Sequence, residues 1–174
     1  MNPERRQTFA TAAAALAAGL APWPVQAADP QPVPWPKNRP TPPLALPALD
    51  GPPWDLASAR GQLLVLNFWA SWCEPCRSEM PSLELLAERH LAQKLAVVAI
   101  NFRENEAAIR RFVQQTALTL PIVRDVDGAA ARAFGVRIFP STVLIGRDGR
   151  AVFTVTGEVD WTGPQARRWI ATWL

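Results

Sequence analysis

A chain of 174 residues fits one domain, and a hydrophobic share of 49% excludes a wholly disordered polymer. The formal net charge is only +3 and no basic cluster is interleaved with aromatics, so a nucleic-acid partner is not expected. Two cysteines and one histidine are too few for a metal cage, so neither a metal nor another cofactor is expected.

The first 27 residues read as an export leader. Arg5 and Arg6 form a short charged start, Phe9 to Ala21 is a small apolar run, and Val25-Gln26-Ala27 presents small residues where a signal peptidase reads. Cleavage after Ala27 and a periplasmic mature protein are expected. The apolar run is shorter than the roughly 20 residues a spanning helix needs, which argues against an uncleaved anchor. Arg5-Arg6 matches a twin-arginine signal in part, because Thr8 and Phe9 stand where two apolar residues usually follow. The export route stays open. Residues 28–43 are dense in proline, with Pro30, Pro32, Pro34, Pro36, Pro40, Pro42 and Pro43. Missing donors and a fixed φ favour polyproline II, so this stretch reads as a stiff or disordered linker, or else as a proline-rich docking ligand.

The folded domain is expected over 44–174. Gln62–Trp69 (QLLVLNFW) is a continuous apolar run, the mark of a strand buried on both faces. Cys73–His90 reads as a helix with Met80, Leu83, Leu86 and Ala87 on one stripe. Leu95–Phe102 is a second central strand. Asn105–Gln115 is a helix with Ala108, Ile109, Phe112 and Val113 at helical spacing. A short strand over Leu120–Arg124 and a short helix over Asp127–Phe134, stopped by Gly135, follow. Ser141–Ile145 and Ala151–Thr156 flank Asp148-Gly149, a hairpin signal. Thr162–Leu174 closes the chain as a helix with Ala166, Trp169, Ile170 and Trp173 inward. This order predicts an α/β fold, a mixed sheet with helices on both faces.

Both cysteines sit in one C-x-x-C, Cys73-Glu74-Pro75-Cys76, at the expected start of a helix. Residues i and i+3 of a first turn are neighbours, within the roughly 4.4–6.8 Å Cα separation that a disulfide spans. Unpaired amides and the positive end of the helix dipole favour a thiolate at Cys73, the expected attacking sulfur; Cys76, deeper in the helix, would resolve the mixed disulfide. Pro75 lacks only a donor that a helix start does not need. A structural disulfide closing so small a ring would restrict little of the unfolded chain. His90, near the helix end, reads as a surface or capping residue.

The stretch Asn67 to Glu79 (NFWASWCEPCRSE) resembles the active-site strand and helix of thioredoxins, and most closely the exported TlpA-like and ResA-like branch. Pro81 matches the kink proline of that helix. Phe134 to Thr142 (FGVRIFPST) resembles the cis-proline loop, and Gly157 to Trp161 the segment before the last helix. The resemblance covers about Leu46 to Leu174. It implies a thioredoxin fold with an N-terminal strand or hairpin extension and a central βαβ insertion, and a cis bond before Pro140 placed against the Cys73 sulfur. Asn67 stands where thioredoxins carry a buried acid. Glu79, at the place of a functional glutamate in ResA-like proteins, is its expected substitute, the alternative being a solvated helix glutamate. Glu74 either opposes thiolate formation or is a bystander in solvent. With Cys73, Cys76 and Glu79 as catalytic residues, Trp72, Glu74, Pro75, Phe139 and Pro140 are the candidate substrate contacts, and Phe139 is bulkier than the residue usual there.

The function expected is an exported reductase of protein disulfides, drawing electrons from a membrane thiol donor and acting as a monomer on apocytochrome c or a copper-site assembly protein. A thiol oxidase and a thiol peroxidase are alternatives within the fold. A metal-binding assembly factor, or a non-catalytic interaction domain, is the alternative of another class.

Overall fold

The computed structural model describes residues 29–174, so the leader expected over 1–27 lies outside the described residues. Eight strands and four helices run in the order β1 (Val33–Pro34), β2 (Ala45–Leu46), β3 (Trp54–Asp55), β4 (Leu63–Trp69), α1 (Glu74–Arg89), β5 (Leu95–Phe102), α2 (Glu106–Thr116), β6 (Ile122–Asp125), α3 (Ala129–Phe134), β7 (Ser141–Ile145), β8 (Ala151–Thr156) and α4 (Pro164–Ala171). The main sheet has the order β1-β8-β7-β4-β5-β6, and β2 pairs with β3 in a separate ribbon. The central run β4, β5, β6 is parallel; β7 is antiparallel to β4 and β8 to β7.

All seven residues of β4 are buried, as its unbroken apolar run predicts. Successive side chains point to opposite faces. Leu63, Val65 and Trp69 accordingly enter the core under α1, α2 and α4, while Leu64, Leu66 and Phe68 enter a second core under α3 and Phe134. On α1 the buried residues Cys76, Glu79, Met80, Leu83 and Leu86 recur at helical spacing, and Asn105 caps α2 by accepting from the Ala108 amide at 2.9 Å. The mixed sheet with helices on both faces is thus the observed architecture. Trp173, expected to face inward, is exposed, because α4 ends at Ala171 and the residue lies beyond its last turn. His90 is the C-terminal cap of α1.

The proline-rich segment differs from the linker expected over 28–43. Val33 and Pro34 pair with Thr154 and Phe153 of β8, the Trp35 amide donates to Val152 O at 2.8 Å, and the Ala151 amide donates to Thr41 Oγ1 at 2.7 Å. Trp35 is buried, tilted against Phe134 at 5.9 Å, with the Arg39 guanidinium 4.5 Å above its ring and its indole N–H on Arg39 O at 2.9 Å. An edge strand uses only one side of its ladder, so a proline costs nothing where its missing donor would face solvent. Further along, Ala48 bridges Val123, and the Leu49 amide donates to Ile122 O at 2.8 Å. One N-terminal stretch therefore covers both edges of the sheet.

If Trp35 anchors this strap, Trp35→Ala removes a buried aromatic and lowers unfolding stability by about 3 kcal/mol, measured by urea denaturation. A loss below about 0.5 kcal/mol would restore the reading of 28–43 as a tether.

Candidate active site

The chain leaves β4 at Trp69, passes Ala70-Ser71-Trp72 and enters α1 with Cys73 as its N-cap. Cys73 has the extended backbone of a cap, φ −89° and ψ 103°, and its Sγ accepts from the Cys76 amide at 3.3 Å. The two sulfurs form a disulfide with the Cα atoms 5.3 Å apart. Cys73 retains 6% of its surface and Cys76 none, so only Cys73 offers an edge to another molecule. On reduction the same amide and the helix dipole stabilise a Cys73 thiolate. Pro75 lies in the first turn, where its missing donor is harmless, and Pro81 lies within α1 without ending it. The Glu74 side chain is 82% exposed and 3.6 Å from the Arg77 guanidinium, a surface pair of little energetic weight.

Glu79 is not a solvated helix residue. It is 2% exposed, one turn past Cys76 on the inner face of α1. Asn67 Nδ2 donates to its Oε1 at 2.6 Å and the Val159 amide to its Oε2 at 2.9 Å. Asn67, at the place of the acid usual in thioredoxins, also donates to Thr142 Oγ1 at 3.0 Å. Burial pushes the Glu79 carboxyl up to about 8; the Val159 amide, the neighbouring Trp161 indole and Asn67 pull the other way without overcoming it, and the Glu158 charge adds a little to the rise. A proton affinity so close to that of a thiol suits this carboxyl to exchanging protons with the redox pair.

The third component comes from across the sheet. The Phe139–Pro140 peptide is cis, Pro140 is buried, and its carbonyl accepts from the Gly157 amide at 2.9 Å. The next residues, Ser141 and Thr142, pair with Phe68 and Asn67, which puts this loop at the end of β4 that leads to Cys73. Phe139 packs 4.8 Å from Phe102 and meets Trp72 edge-on at 6.1 Å. Trp72 and Ile138 are 66% and 62% exposed, giving the redox end an apolar rim. The structure thus brings Cys73, Cys76 and Glu79 together along one face of α1, and Trp72 together with Phe139 before the buried Pro140. Glu74 and Pro75 lie exposed on the first turn.

Sequence reasoning missed Ser71, Asn101, Phe102 and Glu104. The Glu104 carboxylate accepts from the Ser71 amide at 2.7 Å, the Ser71 hydroxyl at 2.5 Å and Asn101 Nδ2 at 2.7 Å. No spacing in the chain signals a contact spanning 33 residues; it exists because Trp69 and Asn101 are register partners. Among the described residues no three His, Cys, Asp or Glu side chains converge as a metal site, and no helix is long and apolar enough to cross a membrane.

A disulfide at the tip of a helix that follows a central strand, with a cis-proline loop at the same end of the sheet, defines a thioredoxin-fold redox protein of the Cys-X-X-Cys class. Within that class, the chain belongs to the AhpC/TSA family, whose model matches residues 38–153. It is 37% identical over 109 residues to the thiol–disulfide oxidoreductase ResA of Halalkalibacterium halodurans, covering 63% of this chain and 62% of the relative. Among solved structures, a Chlorobium tepidum protein described as a candidate thiol:disulfide interchange protein DsbE superposes with a TM-score of 0.71 at 27% identity, over 76% of this chain and 94% of that one. A secreted Mycobacterium tuberculosis disulfide oxidoreductase is 32% identical with a TM-score of 0.56, over 63% and 81% of the two chains. The chain spans between 59% and 68% of the length of the ResA relatives it matches.

A carboxyl held near 8 when folded, against an ordinary 4.5, binds an extra proton in the native state between those values, so stability falls as pH rises through that window. Glu79→Gln flattens this slope. Urea denaturation of the oxidised protein at pH 5 and pH 9 should show the wild type losing at least ~1.4 kcal/mol more than the variant. Equal losses would contradict the raised proton affinity.

Proposed function

We propose that this protein is an exported thiol–disulfide oxidoreductase that reduces disulfides of extracytoplasmic proteins. The observation that carries this reading is the Cys73–Cys76 disulfide capping α1, with Cys73 keeping a small exposed edge, Cys76 fully enclosed, and the buried Glu79 carboxyl one turn below. The name of the ResA relative supports the same chemistry, and the description of the secreted mycobacterial protein supports that chemistry outside the cytoplasm.

In the reductive direction the Cys73 thiolate attacks one sulfur of a client disulfide, and the other client sulfur leaves as a thiolate that takes a proton from solvent. Cys76 gives its proton to ionised Glu79, attacks the Cys73 sulfur and displaces the second client thiolate. The client gains two electrons and the Cys73–Cys76 disulfide is re-formed. The exposed Trp72 and Ile138, with Phe139 and Pro140, offer the docking surface, and the backbone beside Pro140 can pair with a client strand. A membrane thiol donor would restore the dithiol. Apocytochrome c and a copper-site assembly protein are the clients proposed, with a leader cleaved after Ala27 and action as a monomer in the periplasm.

The purified chain 28–174 is expected to catalyse insulin reduction by dithiothreitol. Cys73→Ser should abolish turnover, and Cys76→Ser should accumulate a mixed disulfide visible by mass spectrometry. Equilibration with glutathione should return a potential at or below about −250 mV; a value near −120 mV would reverse the direction to an oxidase. Turnover of hydrogen peroxide with no activity on insulin would instead make the protein a peroxidase.

A further inference from the structure

The loop between β4 and Cys73 is held by one side chain from outside its own βα unit. Glu104 lies just beyond β5, half-buried, and its two carboxylate oxygens take three hydrogen bonds. Two come from Ser71, through amide and hydroxyl together, which fixes both the backbone and the side chain of the residue two before Cys73. The third comes from Asn101, which is 1% exposed and shares its register position with Trp69, the last residue of β4.

The backbone that delivers Glu104 is itself unusual. Arg103 occupies the left-handed region at φ +55°, a conformation of sparse occupancy for a residue with a Cβ. Its amide donates to Asp125 O at 3.0 Å, and the Asp125 carboxylate is spent on the Ala130 and Ala131 amides at 3.0 and 2.8 Å. Asp125 thus ties the start of α3 to the reversal at Arg103, after which the chain presents Glu104 to Ser71. None of these groups hydrogen-bonds to either cysteine.

We propose that Glu104 is a positioning residue of the redox centre: by clamping Ser71 it holds the loop that seats Cys73 as the N-cap of α1, and so keeps the Cys73 sulfur on the Cys76 amide. This rests on the redox reading above and extends it to a residue in the loop between β5 and α2. The physical reason is that an N-cap donates its stabilisation only while its backbone stays extended beside the first turn. A loop freed to wander loses the amide contact that favours a thiolate, and small misplacements of a reacting atom cost large factors in rate.

The test separates position from charge. In reduced Cys76→Ser protein, the rate of iodoacetamide alkylation of Cys73 is followed against pH for Glu104 intact, Glu104→Ala and Glu104→Gln. Insulin reduction is followed for the same three states of residue 104 in the two-cysteine protein. Circular dichroism confirms that each variant is folded at the assay temperature. Glu74, Arg77 and Arg103 at the surface and Glu79 beneath are the same throughout, so their fields cancel in the comparison. Glutamine keeps a carbonyl acceptor for the Ser71 amide while removing the charge. The expected result is an alkylation midpoint shifted to higher pH in Glu104→Ala, with insulin reduction slowed roughly tenfold, and both properties largely restored in Glu104→Gln. An unmoved midpoint in folded Glu104→Ala overturns the proposal, as does a Glu104→Gln variant that behaves like Glu104→Ala. Should Glu104→Ala fail to fold, Ser71→Ala removes the hydroxyl from the same clamp, and an unmoved midpoint there overturns the proposal equally. Failure of the wild type to reduce insulin would count against the oxidoreductase function, while the alkylation profile would still decide the role of Glu104.

Discussion

Strand β4 runs between β5 and β7 with every side chain out of water, so its ends cannot shift without opening two cores at once. That constraint determines where Cys73 falls. A strand packed on both faces delivers its last residue, Trp69, at a set height above the sheet, and four residues later the chain must cap a helix whose own buried stripe lies over the same core. The alternation that sends Trp69 and Val65 under α1 also sends Asn67 there, into hydrogen-bond reach of Glu79. The redox pair and its carboxyl are consequences of one strand's burial.

The carboxyl is costly to keep. Glu79 lies at the floor of the site with almost no solvent, and its burial outweighs the donors that Asn67 and Val159 provide. A buried carboxyl destabilises the fold little while protonated and more when charged. Proton uptake at this position is therefore linked both to folding and to thiol chemistry a turn away. Asparagine at 67 is compatible with this arrangement in a way that a second acid would not be, since two carboxyls at this distance could not both ionise.

The sheet carrying this site has edges that would otherwise invite pairing with other chains. The N-terminal stretch closes both, with Val33 and Pro34 along β8 and the stretch from Pro47 to Leu49 along β6. Pro30 reaches Gly157, whose amide holds the carbonyl of Pro140, so the strap also borders the cis-proline loop. A segment whose composition suggests a spacer is part of the domain's framework.

The strands and helices from Leu63 onward were legible in the chain because each satisfies a local rule: an unbroken apolar run, a helical stripe, an Asp-Gly turn. The cysteine pair was legible for the same reason, since residues three apart in a first helical turn meet whatever the rest of the protein does. Tertiary structure alone decided the rest. Proline density argues locally against a strand, yet an edge position needs donors on one side only, and Trp35 finds its anchor in Phe134, 99 positions away. Whether Glu79 is solvated or buried depends on Asn67 and Val159, brought in by β4 and the segment after β8. Glu104 reaches Ser71 only because β4 and β5 lie side by side. Contacts made along the chain are written in residue spacing, whereas contacts made across the sheet depend on register, which no single segment contains.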